Sequence, residues 1–302
     1  MDIRQMQYIL ALAEHRNFTK AAKALFISQP SLSAFVAKVE AELGVALFDR
    51  SSSPLSLTYA GEVYVRNAEQ ILNACDVMQK QLSDLSSQKI GRIRLGLPNE
   101  RAAYMLPLLL PAYNALYPQV TVDVTTMNSA QMIDLLLANR LDIAILPNSR
   151  WSKEVMKSDI YSEELVIVGG KDVIRPEHLV DGIETAVDIA KLEEIPLITL
   201  SPRHGVRAFV DAFYSKHGLT PKIIIETTSN MTAFRLATSG MGAAILPRMT
   251  VELTRETLNT PIYSLSASGT NWEIVAAQRK DAYISQLERD FITVARKVFN
   301  AK

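Results

Sequence analysis

The sequence predicts three parts in order: an α-helical head over residues 1–58, a long helix over 59–88, and an α/β body over 89–302. Three observations predict this. Apolar residues recur at steps of three and four in short segments up to residue 43. A run from 60 to about 87 has no proline and carries a seven-residue apolar period. From Arg92 onward, short apolar strands alternate with helical segments, the pattern of sheets covered by helices.

The chain has 302 residues, 48% of them hydrophobic, enough for a buried core in two or more domains. Basic and acidic residues balance at 32 each, so any argument for nucleic acid has to be local. One cysteine, Cys75, excludes an internal disulfide framework and a multi-cysteine zinc site, and fits a reducing compartment. The start, Met1-Asp2-Ile3-Arg4, lacks the apolar stretch of a signal peptide, and no run approaches the roughly 18 residues that cross a bilayer. The expectation is a cytoplasmic globular protein with no membrane partner.

In the head, Ile3, Met6, Leu10 and Ala13 mark an amphipathic helix over residues 3–14. Thr19 is positioned to cap a short helix, Lys20 to Leu25, which turns Ala21, Ala22 and Leu25 inward. Phe26-Ile27 makes a turn. Ser28 then caps a third helix with Pro30 in its first turn, where a missing N–H costs little. Leu32, Val36, Val39 and Leu43 form its apolar stripe, and Gly44 ends it. The other side, with Gln29, Pro30, Ser33, Ala34, Ala37 and Lys38, is small and polar. Two short helices joined by a tight turn, the second with such a face, describe a helix-turn-helix. A helix docked N-terminus first in the major groove needs short side chains near the bases. Gln pairs with adenine there, and the free N–H groups of the first turn attract a phosphate. Val45 to Phe48 and Leu55 to Thr58 fit two strands of a wing around Ser51-Ser52-Ser53-Pro54.

The stretch "FTKAAKALFISQPSLSAFVAKVEAELGVALFDR", followed by "LSLTYAGEVY", resembles the winged helix-turn-helix of LysR-type transcriptional regulators. The resemblance implies that the helix starting at Ser28-Gln29 is the recognition helix. Gln29, Pro30, Ser31, Ser33, Ala34 and Lys38 would then approach the DNA, with Arg50 and the wing, including Ser52, on the backbone. Two departures thin the electrostatic footprint: Ala34 stands where relatives often carry a basic residue, and the wing has serines and a proline in place of Arg or Lys. Residues 1–58 hold six Lys/Arg against five Asp/Glu, so few phosphate contacts per subunit and a shallow salt dependence are expected.

In the long helix Tyr64, Ala68, Ile71, Cys75, Met78, Leu82 and Leu85 form a heptad seam. A second copy of the same helix is the natural partner, and similar LysR-type proteins dimerise this way. The expected assembly is a homodimer or homotetramer with recognition helices on promoter half-sites of double-stranded DNA. Cys75, on the seam, reads as a small apolar residue. Residues 86–91, "SSQKIG", read as a hinge.

The body resembles the effector domain of the same family, a two-lobed fold similar to type 2 periplasmic binding proteins. The signposts are "RLGLPNERAAYMLPLLLPAYNALYP", "LLLANRLDIAIL" and "LATSGMGAAILP". The resemblance implies lobe I at about 89–162 and 267–302, lobe II at about 163–266, and a cleft between them. Residues 171–195 are longer than usual and are expected to add a helix near the cleft rim. Polar turns follow apolar strands, and α/β folds bind ligands at the carboxyl ends of strands. Candidate effector-binding residues are Asn99, Glu100 and Arg101; Ser129; Ser201, Pro202 and Arg203; and Thr228 and Asn230. Ser129 and Ser229 fit helix caps. Arg101 and Arg203 suggest a clamp for a small organic anion. Glu100 counts against that, since it would neutralise Arg101 or favour a ligand with an amine.

No Walker loop, dinucleotide fingerprint, nucleophile elbow or zinc-spaced His pair occurs, and the four histidines are scattered. No catalytic residue, metal site or cofactor is therefore expected. The competing class is an enzyme or solute-binding protein on the same two-lobed fold. Neither has use for residues 1–58, and a secreted receptor needs a signal peptide.

Overall fold

The computed structural model describes residues 2–86, 89–148, 152–202, 204–254, 260–265 and 270–300. The chain divides into two compact units, Met1–Ser86 and Ser87–Lys302.

The first unit begins with α1 (Ile3–His15), closed by a capping box in which Asp2 and Gln5 bond each other's backbone N–H. α2 (Phe18–Ala24) starts earlier than the sequence suggests, because the cap is Asn17 and not Thr19: Asn17 Oδ1 accepts the Lys20 N–H at 2.9 Å. α3 (Gln29–Leu43) is capped by Ser28 and ends at Gly44, in the left-handed region with φ 71°. Leu32, Val36 and Val39 are buried with Ile9, Leu12, Ala21 and Ala22. The expected fourth member of the stripe, Leu43, is exposed, while Leu47 and Phe48 join this core from the wing. The wing strands are short: β1 (Phe48–Asp49) pairs antiparallel with β2 (Ser56–Leu57). Backbone groups at the start of the wing find other partners. Glu40 accepts the N–H of Leu47 and Phe48, and Thr58 donates to the Leu47 carbonyl.

α4 (Tyr59–Leu85) follows as 27 continuous helical residues capped by Thr58. Only Gly61 and Ala68 on it are buried. Further along the seam Ile71, Met78, Leu82 and Leu85 are exposed.

The second unit opens with β3 (Ile90–Leu97), α5 (Asn99–Asn114), β4 (Gln119–Thr126), α6 (Ser129–Leu137) and β5 (Ile143–Pro147). β3 lies parallel to both β4 and β5. The long strand β6 (Val155–Gly169) comes next. Residues 171–195 add no α-helix, contrary to the sequence expectation. They form two short 3-10 turns and the hairpin of β7 (Leu179–Val180) and β8 (Ile183–Val187). Then come β9 (Pro196–Leu200), α7 (Gly205–Lys216), β10 (Lys222–Thr227), α8 (Asn230–Thr238), β11 (Ala243–Pro247), α9 (Arg248–Thr254) and β12 (Ile262–Ser264). β13 (Asn271–Arg279) and α10 (Gln286–Asn300) complete the unit.

Strand order explains how one unit carries two cores. It runs β10-β9-β11-β6-β13-β5-β3-β4, with β12 also on β6. β6 pairs with β13 from Val155 to Glu164 and with β11 from Leu165 to Gly169, so one strand serves two partners in turn. One cluster gathers Leu95, Tyr104, Met105, Ile145, Ile274 and Phe291; the other gathers Val166, Ile167, Ile198, Phe234 and Ile245. Trp272 packs against both. The parallel pairs β3–β4 and β9–β10 send their carboxyl ends, and the helices after them, toward a common cavity.

Candidate functional sites: a helical nucleic-acid interface and a cleft

In the first unit, the N-terminal face of α3 is open. Ser28, Gln29, Pro30, Ser31, Ala34, Ala37 and Lys38 are exposed, and Ser33 is half-buried. Ser28 is occupied as the cap, and its Oγ lies 2.7 Å from Ser31 Oγ. Gln29 leads the helix next to this pair, with neighbours too short to hinder approach of a flat base edge. Lys38 lies 3.9 Å from Glu42, an exposed pair one turn apart. Arg50 is held inside the unit: it donates to Glu40 at 2.8 Å and its guanidinium lies 5.8 Å from the centre of the Phe18 ring. Ser52 Oγ donates to the Asp49 carbonyl and lies 2.8 Å from Ser56 Oγ. Both wing residues therefore brace the wing. The turn before α3 exposes Phe26 almost completely, in the left-handed region with φ 56°.

In the second unit, a cavity of about 510 Å³ opens where strands end. Asn99, Glu100 and Arg101 line it from the start of α5, Ser129 from α6, and Thr228 and Asn230 from the start of α8. Ser129 is the first residue of its helix and not the cap. Asn128 caps, accepting the Gln131 N–H at 3.0 Å. Ser229 does cap α8, accepting from Thr232. Ser201 and Pro202 are not among the lining residues; Ser201 N–H donates to the Thr227 carbonyl. Arg203 lies outside the described residues.

The lining also includes His204, from the polar turn after β9 that the sequence directs to the cleft, and several residues that pattern reading missed. Tyr104 and Trp272 come from the floor, and Pro147 and Pro247 from the ends of β5 and β11. His204, Gly205 and Val206 come from the start of α7. His204 caps that helix, its Nδ1 accepting the Val206 N–H at 3.2 Å. Burial lowers the His204 pKa, against a smaller pull upward from Glu100. The turn residues were legible as polar groups after strands; Trp272 looked like an ordinary strand residue, and α7 lacked a recognised cap.

Arg101 is not a free anion clamp. It is 5% exposed, and its NH1 donates to Glu163 at 2.9 Å and to Tyr161 Oη at 2.8 Å. The rings of Tyr104 and Trp272 lie 5.6 and 5.5 Å from the guanidinium. Burial pushes the Tyr104 and Tyr161 phenols upward, so both stay protonated, and each hydroxyl donates to Glu163 Oε2. The positive charge expected to meet a ligand is thus matched from below by Glu163 on β6. Glu100 lines the cavity. Its Oε1 accepts the Met231 N–H at 3.4 Å, and its Oε2 is buried without a hydrogen-bond partner.

Comparison with known proteins matches both parts of the chain to one family. Residues 3–62 match the bacterial regulatory helix-turn-helix protein, lysR family, and residues 86–300 match the LysR substrate binding domain. The HTH-type transcriptional regulator CbbR of Rhodospirillum rubrum is 30% identical, over 83% of this chain and 81% of its own. The uncharacterized HTH-type transcriptional regulator YcgK of Bacillus subtilis is 29% identical, over 98% of this chain and 94% of its own. Among solved structures, full-length CbnR complexed with its target DNA shares the fold at a TM-score of 0.67 and 23% identity, covering 99% of this chain and all of that one. With matches to both domains of one family and a relative at this identity, the chain belongs to the LysR family of DNA-binding transcriptional regulators.

Proposed function

We propose that this chain binds promoter half-sites through the N-terminal face of α3, pairs with itself along α4, and adjusts its DNA binding when a small effector occupies the cleft. The carrying observation is the exposed face of Gln29, Pro30, Ser31 and Ala34 at the start of a helix whose other side, with Leu32 and Val36, is buried. A helix presented in this way offers its first turn to base edges and phosphates. The test is a gel-shift on DNA flanking the protein's own gene, with and without candidate metabolites. Gln29→Ala is expected to weaken specific binding by about 1–3 kcal/mol, with non-specific binding unchanged. Equal losses on both DNAs count against base reading by Gln29.

Self-association rests on α4. Met78 and Leu82 are more than half exposed within one chain, and burying the remainder against a second copy is favourable by about 1–1.5 kcal/mol per side chain. A Met78→Lys, Leu82→Lys double variant is expected to sediment as a smaller species with its helical circular dichroism retained. An unchanged sedimentation coefficient rejects the seam.

An effector changes DNA binding only through different affinities for the DNA-bound and free arrangements. The relatives are transcriptional regulators, and no catalytic step is assigned to the cleft. Among the described residues no helix is long and apolar enough to cross a membrane. A role on promoter DNA fits a cytoplasmic protein.

A further inference from the structure

We propose that the effector carries a protonated amine, which seats between Glu100 on α5 and Asn230 on α8. This rests on the reading of the cleft as an effector site and names the chemistry that site selects.

The first support is the charge balance. Of the charged residues described on the cavity wall, Arg101 is matched by the buried Glu163 beneath it. Burial opposes protonation of His204, which disfavours it as a countercharge here. Glu100 therefore contributes a negative charge that no described wall residue offsets. An anion alone leaves that charge unmatched and adds a second; an ammonium group neutralises it.

The second support is hydrogen bonding. Two acceptors on this wall, Glu100 Oε2 and Asn230 Oδ1, are buried and without partners. Asn230 is only 5% exposed. A buried acceptor left unpaired costs about as much as a lost hydrogen bond, so native structures supply a donor. The two residues are neighbours across the cleft, since Glu100 Oε1 already accepts the N–H of Met231, the residue after Asn230. An ammonium carries three donors and no acceptor, the complement of two empty oxygens. A carboxylate has no proton to offer them. Because α5 and α8 pack into different cores, an amine held by both residues also ties one lobe to the other.

The experiment uses the full-length protein and a library of metabolite-sized amines and amino acids, each paired with the same skeleton lacking the amine. Examples are leucine with 4-methylpentanoate, phenylalanine with 3-phenylpropanoate, and butylamine with butan-1-ol. Thermal shift finds the binders and calorimetry measures them. Binding is expected only from amine-bearing members. Glu100→Gln, which keeps shape and removes charge, is expected to weaken it at least tenfold without moving the unfolding midpoint of the free protein. Asn230→Asp, which adds negative charge beside Glu100, is expected to tighten it several-fold. Amine-free acids that bind as well as their partners, and that Glu100→Gln leaves intact, overturn the amine requirement while the cleft stands as effector site. Binding that survives Gly205→Phe, a substitution that fills the cleft beside Trp272, overturns the cleft reading itself. Silence across the whole library overturns the proposal.

Discussion

Replacing Glu163 by alanine is expected to lower the stability of the Ser87–Lys302 unit by about 3–5 kcal/mol, the cost of leaving a buried charge without its partner. Glu163 and Arg101 are 4% and 5% exposed and 2.9 Å apart. Without the carboxylate, the guanidinium keeps the Tyr161 oxygen and the faces of Tyr104 and Trp272, but no negative charge. Urea unfolding followed by tryptophan fluorescence reports this, since the Trp272 ring centre lies 5.5 Å from the Arg101 guanidinium. Glu163→Gln, which retains an acceptor, is expected to lose less. Replacing both partners by apolar residues is expected to recover much of the loss, because the pair's value lies in mutual compensation. A single Glu163→Ala variant within 1 kcal/mol of the parent removes the pair from any structural role.

Gly61→Ala is expected to disrupt the DNA-binding unit, although alanine in place of glycine usually favours a helix by about 1 kcal/mol. A Cβ at position 61 falls 2.0 Å from the Leu47 carbonyl oxygen and 3.0 Å from Leu57 Cδ2. That carbonyl cannot yield cheaply. It accepts the Thr58 N–H, while Thr58 Oγ1 donates to the Ala46 carbonyl and accepts the Gly61 N–H. Either the start of α4 or the base of the wing has to move, and overpacking of this kind costs about 1–3 kcal/mol or more. The expected results are a lower first transition in thermal unfolding and loss of DNA binding. Ala substitution at the exposed Glu62 is the control. A variant with parental unfolding and DNA affinity shows that the wing relaxes freely.

Much of the scaffold was legible because it is local. Gln119–Thr126 alternates apolar and polar residues and forms β4 over those residues. Ser28, Pro30 and Gly44 punctuate α3 at its two ends, as cap, first-turn residue and left-handed stop. Errors came where two residues compete for one local role. Asn17 lies two residues before Thr19, and Asn128 one before Ser129; in both pairs the earlier asparagine captured the orphan N–H of the helix start. Leu43 continues the period of its stripe, but periodicity does not say where the neighbouring core ends.

Pairing between distant residues set the chemistry of both sites. Arg50 and Arg101 each read as a free cation, because a sequence records the presence of a charge and not its partner. Glu40 stands ten residues from Arg50, and Glu163 stands 62 residues from Arg101. Helical periods, caps and turns depend on residues within a few positions, so the order of head, long helix and α/β body was already present in the linear chain. Which charges are matched inside the protein, and which buried acceptors lack a partner, depended on contacts that exist only once β6, α5 and α8 are brought together.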